Sequence, residues 1–129
     1  VKATNRFEAT RDKIQKYLNA KHREEIIFTK GATEAINLVA SSYGKKYIKE
    51  GDEVLITELE HHSNYVPWNY LRTDKGAVIK FAKVNENGDV EIEHIKKLIT
   101  NKTKIIAITH ISNVTGAILP ITKIVDLAK

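Results

Sequence analysis

The sequence predicts an α/β fold, a mainly parallel sheet flanked by helices, and three observations lead there. Short apolar runs of strand length alternate along the chain with longer stretches of helical periodicity, the pattern of repeated strand–helix–strand units. Polar, chemistry-bearing residues follow three of the apolar runs, where a parallel sheet delivers its ligand groups. The size and composition suit one domain with a real core: 129 residues, 42% hydrophobic and 29% charged.

The elements follow in order. Residues 4–20 predict a helix, with Phe7, Ile14 and Leu18 on one face, Tyr17 beside them, and Arg and Lys opposite. The apolar run at 25–29, closed by Lys30-Gly31, predicts a short buried strand. Ile36, Val39, Ala40, Tyr43 and Tyr47 recur at helical spacing and predict a helix over 33–48. Gly51-Asp52 marks a turn, and a second strand follows at 53–57. A helix over 64–75 carries Pro67 near its start, where a missing N–H is tolerated, and ends at Lys75-Gly76. Residues 78–84 read as a strand and Asn87-Gly88 as a turn. Ile95, Leu98 and Ile99 share one side of a short helix over 93–100. A strand at 104–109 follows. Pro120 then opens a last helix with Ile121, Ile124, Val125 and Ala128 at i, i+3, i+4, i+7. That helix reaches the end of the sequence without a C-cap, and the chain contains no Met, so an internal piece of a longer polypeptide is expected.

Composition narrows the function classes. Net charge is +5, from 21 Lys and Arg against 16 Asp and Glu. The lysines are scattered, and no basic–aromatic interleaving occurs, so a solvated surface is expected and nucleic acid is not. No apolar run approaches the ~18 residues of a membrane helix, and no signal peptide is visible, so no membrane partner is expected. Cysteine is absent, which removes disulfides, thiolate metal ligands and a cysteine nucleophile from these residues. That fits a reducing, cytoplasmic location.

Three segments carry chemistry. Thr29-Lys30-Gly31-Ala32-Thr33-Glu34 lies between a strand and a helix. There Gly31 permits a tight turn, and the amides of Ala32 and Thr33 with the Thr33 hydroxyl suit an anion at a helix N-terminus. An ordinary N-cap by Thr33 explains the same residues. Glu58-Leu59-Glu60-His61-His62-Ser63-Asn64 also follows a strand. Its histidines suit acid–base work, a metal, or stacking on an aromatic ligand, and a solvated loop is the plainer reading. Adjacent residues of an extended loop point apart, and His22, His94 and His110 stand at no ligand spacing, so no metal site is expected. Thr109-His110-Ile111-Ser112-Asn113-Val114-Thr115-Gly116 follows a third strand. Asn113 there either donates to a phenolate-like oxygen or caps its own loop. Three polar strand ends on one sheet converge on one crevice and together favour a phosphorylated aromatic ligand.

These segments resemble a known family. The run from Phe28 to Ala40 is similar to the phosphate loop of class V, fold-type I pyridoxal-phosphate enzymes. Glu60-His61-His62-Ser63-Asn64-Tyr65-Val66-Pro67-Trp68 resembles the E-H-H-x-N-x-V-P-W signature of group II cysteine desulfurases, the SufS and selenocysteine-lyase-like branch. The run from Thr109 to Gly116 resembles their T-H-x-S-N-x-x-G. Ala3-Thr4 and Tyr17-Leu18-Asn19-Ala20 also fit, so the resemblance spans essentially the whole chain.

The resemblance implies pyridoxal 5'-phosphate as cofactor. Ala32 and Thr33 are expected to hold its phosphate, His61 to stack over its ring and move protons, and Asn113 to bond its 3-oxygen; His62 receives no role. It implies a homodimer that takes sulfur from L-cysteine, or selenium from L-selenocysteine, and passes sulfur to an acceptor protein for iron–sulfur cluster assembly. Residues 1–129 become the N-terminal half of the cofactor-binding large domain, with its other half and the small domain outside them. The family's pyridine-pairing Asp, Schiff-base Lys and persulfide Cys are expected beyond Lys129, so the isolated chain is expected to be inactive. The family's seven-stranded sheet is ordered 3-2-4-5-6-7-1, so this chain should supply four strands, with 26–29 set apart from the rest. Open sheet edges should then make the piece stable only within its full polypeptide. Other class V chemistry, and a non-catalytic phosphate- or partner-binding fragment, are the competing readings.

Overall fold

The computed structural model describes residues 1–129, in two compact units: Val1–Lys30 and Gly31–Lys129. In the first unit, α1 (Lys2–Tyr17) is followed by a 3-10 turn at Arg23–Glu25. The helix stops three residues earlier than its periodicity suggests, because Asn19 takes a left-handed conformation at φ 54°. Arg11 holds this unit together. Its guanidinium lies 5.2 Å from the Phe7 ring and 5.3 Å from the Phe28 ring, and it donates to the Ile26 carbonyl.

The strand expected at 25–29 does not form. Ile26 is buried, but Ile27 is 64% exposed, and the run is not part of the sheet. A strand exists only by pairing in a ladder with another strand, and residues 25–29 belong to no ladder.

The second unit holds a three-stranded parallel sheet in the order β2-β1-β3, from β1 (Glu53–Thr57), β2 (Val78–Ala82) and β3 (Thr103–Ile106). This reproduces the 3-2-4 part of the expected order. All five residues of β1 are buried, as suits a central strand with both faces covered. Val54 and Ile56 join Ala40, Ile48, Trp68, Leu71 and Ala77 on one face. Leu55 joins Leu59, Ala82, Val90, Ile95, Leu119 and Ile124 on the other. β2 and β3 end earlier than their apolar runs, at residues 82 and 106. Val84 pairs instead with Val90 in an isolated antiparallel bridge around the Asn87-Gly88 turn.

α2 (Ala32–Val39) runs on through a π-helical turn at Ala40–Gly44 into α3 (Lys45–Tyr47). The hydroxyls of Ser41 and Ser42 both donate to the Leu38 carbonyl at the start of this widened turn. Such back-bonding competes with the regular helix ladder. α4 (Val66–Lys75) carries Pro67 in its first turn and ends at Gly76. Gly76 is left-handed at φ 73°, and a Cβ there would meet the Glu50 side chain at 3.0 Å. α5 (Ile92–Leu98) and α6 (Ile121–Leu127) complete the chain. No helix is long and apolar enough to cross a membrane.

The topology selects the site. α4 packs on one face of the sheet through Trp68 and Leu71, whereas α6 packs on the other through Ile124. The connections leaving the neighbouring strands β1 and β3 therefore diverge to opposite faces and leave a crevice outside their C-terminal ends.

Candidate functional site

A cleft of about 840 Å³ occupies that crevice. Ala32, Ile36 and Val39 of α2 form one wall, Glu60, His61 and Asn64 a second, and residues 105–109 with Asn113 the third. The volume is that of a small-molecule site, and the walls are mainly apolar with a few polar groups. Three of the four residues singled out from sequence, Ala32, His61 and Asn113, meet in it. Thr33, the fourth, is exposed beside it at the second position of α2.

The phosphate-loop segment is built differently from the expectation. Gly31, not Thr33, is the N-cap of α2. Its φ of 166° is extended backbone open to any residue, so no tight turn demands glycine here. A Cβ on Gly31 would meet nothing within 4 Å. First-turn amides of a helix have no intrahelical acceptor, so those of Ala32 and Thr33 stand where an anion is favoured.

His61 caps the 3-10 turn His62–Asn64. Its Nδ1 accepts the Ser63 amide at 3.1 Å and lies 2.9 Å from the Ser63 hydroxyl. With Nδ1 engaged as acceptor, the neutral ring carries its proton on Nε2. The His62 ring stands at 87° to that of His61, with centroids 6.2 Å apart. His62 lines a separate cleft with Tyr65 and Phe81. The two histidines thus serve different surfaces, as expected of neighbours on a loop.

Asn113 is presented by a short, tightly bonded loop. The Ser112 hydroxyl accepts the amides of Val114 at 3.3 Å and Thr115 at 3.2 Å, and the Gly116 amide returns to the Ser112 carbonyl at 3.0 Å. Gly116 takes φ 74° to close this turn, and Ile111 pairs with Ile118 across its base. Ser112 is buried while Asn113 is exposed. The motif therefore divides into scaffold (Ser112, Gly116) and presented group (Asn113).

Three residues that sequence reasoning left without a role, Glu60, Asn64 and Trp68, form one hydrogen-bonded chain. Trp68 Nε1 donates to Asn64 Oδ1 at 3.0 Å. Asn64 Nδ2 donates to Glu60 Oε2 at 2.7 Å and to the Ala107 carbonyl at 3.1 Å. Glu60 Oε1 accepts the Thr57 hydroxyl at 2.7 Å and the Thr109 amide at 2.9 Å. The signal that could have found them is their i, i+4, i+8 spacing in the motif, which keeps successive residues within reach across the 3-10 turn and the first turn of α4.

A pyridoxal-phosphate-like group fits this donor set: a helix N-terminus for a phosphate, apolar walls for a ring, an imidazole and an amide at its edge. Glu60 lines the cleft, but its oxygens are committed to three donors, so it is not free to pair with a ring nitrogen.

Known proteins are similar to this chain in sequence and fold. A probable cysteine desulfurase of Halalkalibacterium halodurans is 47% identical over 126 residues, covering 98% of this chain and 31% of that protein. The crystal structure of the Escherichia coli cysteine desulfurase CsdA superposes with a TM-score of 0.87 at 34% identity, over 97% of this chain and 31% of that one. The apo cysteine desulfurase of Thermococcus onnurineus gives 0.89 at 34% identity, over 98% and 31%. The chain thus spans about a third of the length of the relatives it matches. The family model described as Aminotransferase class-V matches residues 1–129, and the chain belongs to the class-V aminotransferase family.

Proposed function

We propose that this chain supplies the cofactor-holding walls of a pyridoxal-phosphate-dependent cysteine desulfurase of the group II, SufS-like branch. The observation that carries the reading is the meeting of Ala32, His61 and Asn113, from three sequence-distant segments, in one cleft at the C-terminal ends of parallel strands. When bound, the cofactor supplies an electron sink for reactions at an amino acid's α-carbon. The residues present do the holding. The Ala32 amide and the Thr33 amide and hydroxyl take the phosphate at the mouth of α2. His61 packs against the ring and keeps Nε2 as the nitrogen able to hold or move a proton. Asn113 donates to the ring's 3-oxygen. The apolar residues 105–108 exclude water from the cleft floor.

The sulfur is taken from L-cysteine to give L-alanine and an enzyme persulfide, and passes to an acceptor protein for iron–sulfur cluster assembly. The working form is a cytoplasmic homodimer. No lysine lines the cleft, and the chain contains no cysteine to carry sulfur. The 129 residues alone, given the cofactor and L-cysteine, should therefore release no alanine above background.

The reading is tested by titrating the polypeptide with pyridoxal 5'-phosphate, followed by absorbance, with inorganic phosphate as competitor. Saturable binding that phosphate displaces only at much higher concentration supports it. Binding of the cofactor no tighter than that of phosphate leaves a plain anion site and overturns it.

A further inference from the structure

We propose that Glu60 and Asn64 are positioning residues that clamp the two loops carrying His61 and Asn113 at a set separation across the cleft. The inference rests on the function proposed above, because that function gives His61 and Asn113 their shared ligand.

His61 follows β1 and Asn113 follows β3, so they sit on separate loops, 52 positions apart in sequence (113 − 61). β1 and β3 are paired only as far as Leu55 and Ile106, with one further backbone bond from the Ala107 amide to the Leu55 carbonyl. Beyond that point the ladder no longer ties the two strands. Glu60 and Asn64 take over there. Glu60 reaches from the first loop to the Thr109 amide, and Asn64 reaches from the same loop to the Ala107 carbonyl. Together they act as a side-chain extension of the sheet, within the cleft wall that also carries His61.

The polarity of the clamp is fully determined. Glu60 faces three donors and no acceptor: the Thr57 hydroxyl, the Asn64 amide group and the Thr109 amide. Asn64 faces two acceptors through Nδ2 and one donor, Trp68 Nε1, through Oδ1. Glu60→Gln keeps the shape but sets an NH2 group against one of those donors. Asn64→Asp sets a carboxylate against the Glu60 carboxylate and the Ala107 carbonyl. The double variant, Glu60→Gln with Asn64→Asp, restores a donor–acceptor pair between the two residues with reversed polarity and unchanged net charge. Only the Ala107 carbonyl then lacks its partner. Partial recovery in the double variant is the signature of a direct clamp, since independent destabilisations add.

Two measurements test it on the cofactor-loaded protein and on its ligand-free form. In the ligand-free form, hydrogen exchange of the Thr109 amide should quicken about tenfold or more in Glu60→Ala, which removes its acceptor, while exchange at Leu55 and Ile56 holds. In the loaded form, each single variant should weaken cofactor affinity about tenfold and diminish the visible circular dichroism of the bound ring. Affinity for inorganic phosphate, which is held at α2, should stay the same. The double variant should regain part of both signals. Unchanged Thr109 exchange, or singles that lower only thermal stability while ring dichroism and cofactor affinity hold, overturns the clamp. A wild-type protein that binds no cofactor sinks the proposed function instead, and the exchange result then decides the clamp by itself.

Discussion

Glu53 shows how one side chain's surroundings decide its chemistry. It is 8% exposed at the N-terminal end of β1, away from the cleft. Lys80 Nζ lies 2.8 Å away, and the hydroxyls of Thr100 and Thr103 donate at 2.7 and 2.9 Å. Burial alone pushes the carboxyl pKa up, but the hydrogen bonds from Lys80, Thr100 and Thr103 and the Lys80 charge outweigh it, so the pKa is held below its ordinary value. A carboxylate with a depressed folded-state pKa stabilises the fold at pH values above the unfolded pKa of about 4.3. That contribution disappears as pH falls through the lower folded-state pKa. Thermal unfolding followed from neutral pH down to about pH 3 should show a loss of stability in this acid window that Glu53→Gln reduces. An identical acid slope in that variant contradicts the assignment. In the cleft, His61→Ala should weaken cofactor affinity about tenfold by removing a ring contact, and leave inorganic phosphate affinity unchanged. A parallel loss of both places His61 outside the ring site.

At the scale of elements, the turn after α4 is the most exacting position. Gly76 combines a left-handed backbone with a Glu50 side chain that an added Cβ would meet at 3.0 Å. Gly76→Ala should lower stability by about 1–2 kcal/mol, read as a shifted denaturant midpoint with the slope unchanged. Helices and turns were largely legible in the sequence because their signals are local: Pro67 inside the first turn of α4, Gly76 at its end, Asn87-Gly88 between Val84 and Val90. The run at 25–29 was misread because apolar content specifies burial, whereas a strand also needs a partner. The π-helical turn at Ala40–Gly44 was missed because it depends on two serine hydroxyls competing for one carbonyl, which periodicity does not record.

Over the whole molecule, two features bear on behaviour in solution. β2 and β3 each present an outer edge, and large apolar side chains stand exposed, among them Ile27 at 64%, Ile118 at 69% and Val114 at 83%. Unpaired edges and apolar surface promote association. The 129 residues expressed alone should elute as species larger than 14.6 kDa, increasingly so at higher concentration, by size exclusion with light scattering. A concentration-independent monomer contradicts this.

The sequence by itself determined the α/β class, the parallel alternation of elements and the identity of three cleft residues, Ala32, His61 and Asn113. These rest on local periodicity and on motifs whose residues are close in the chain. The convergence of these residues on one crevice was expected from the three polar strand ends, and only the tertiary structure decided which side chains line it, with Thr33 standing beside it. It also showed that Glu60, Asn64 and Trp68 form one hydrogen-bonded chain in the wall of that cleft. The reason is physical. Which side chains line the cleft depends on which strands become neighbours and on which face each connection takes, and both are set by packing between residues far apart in sequence.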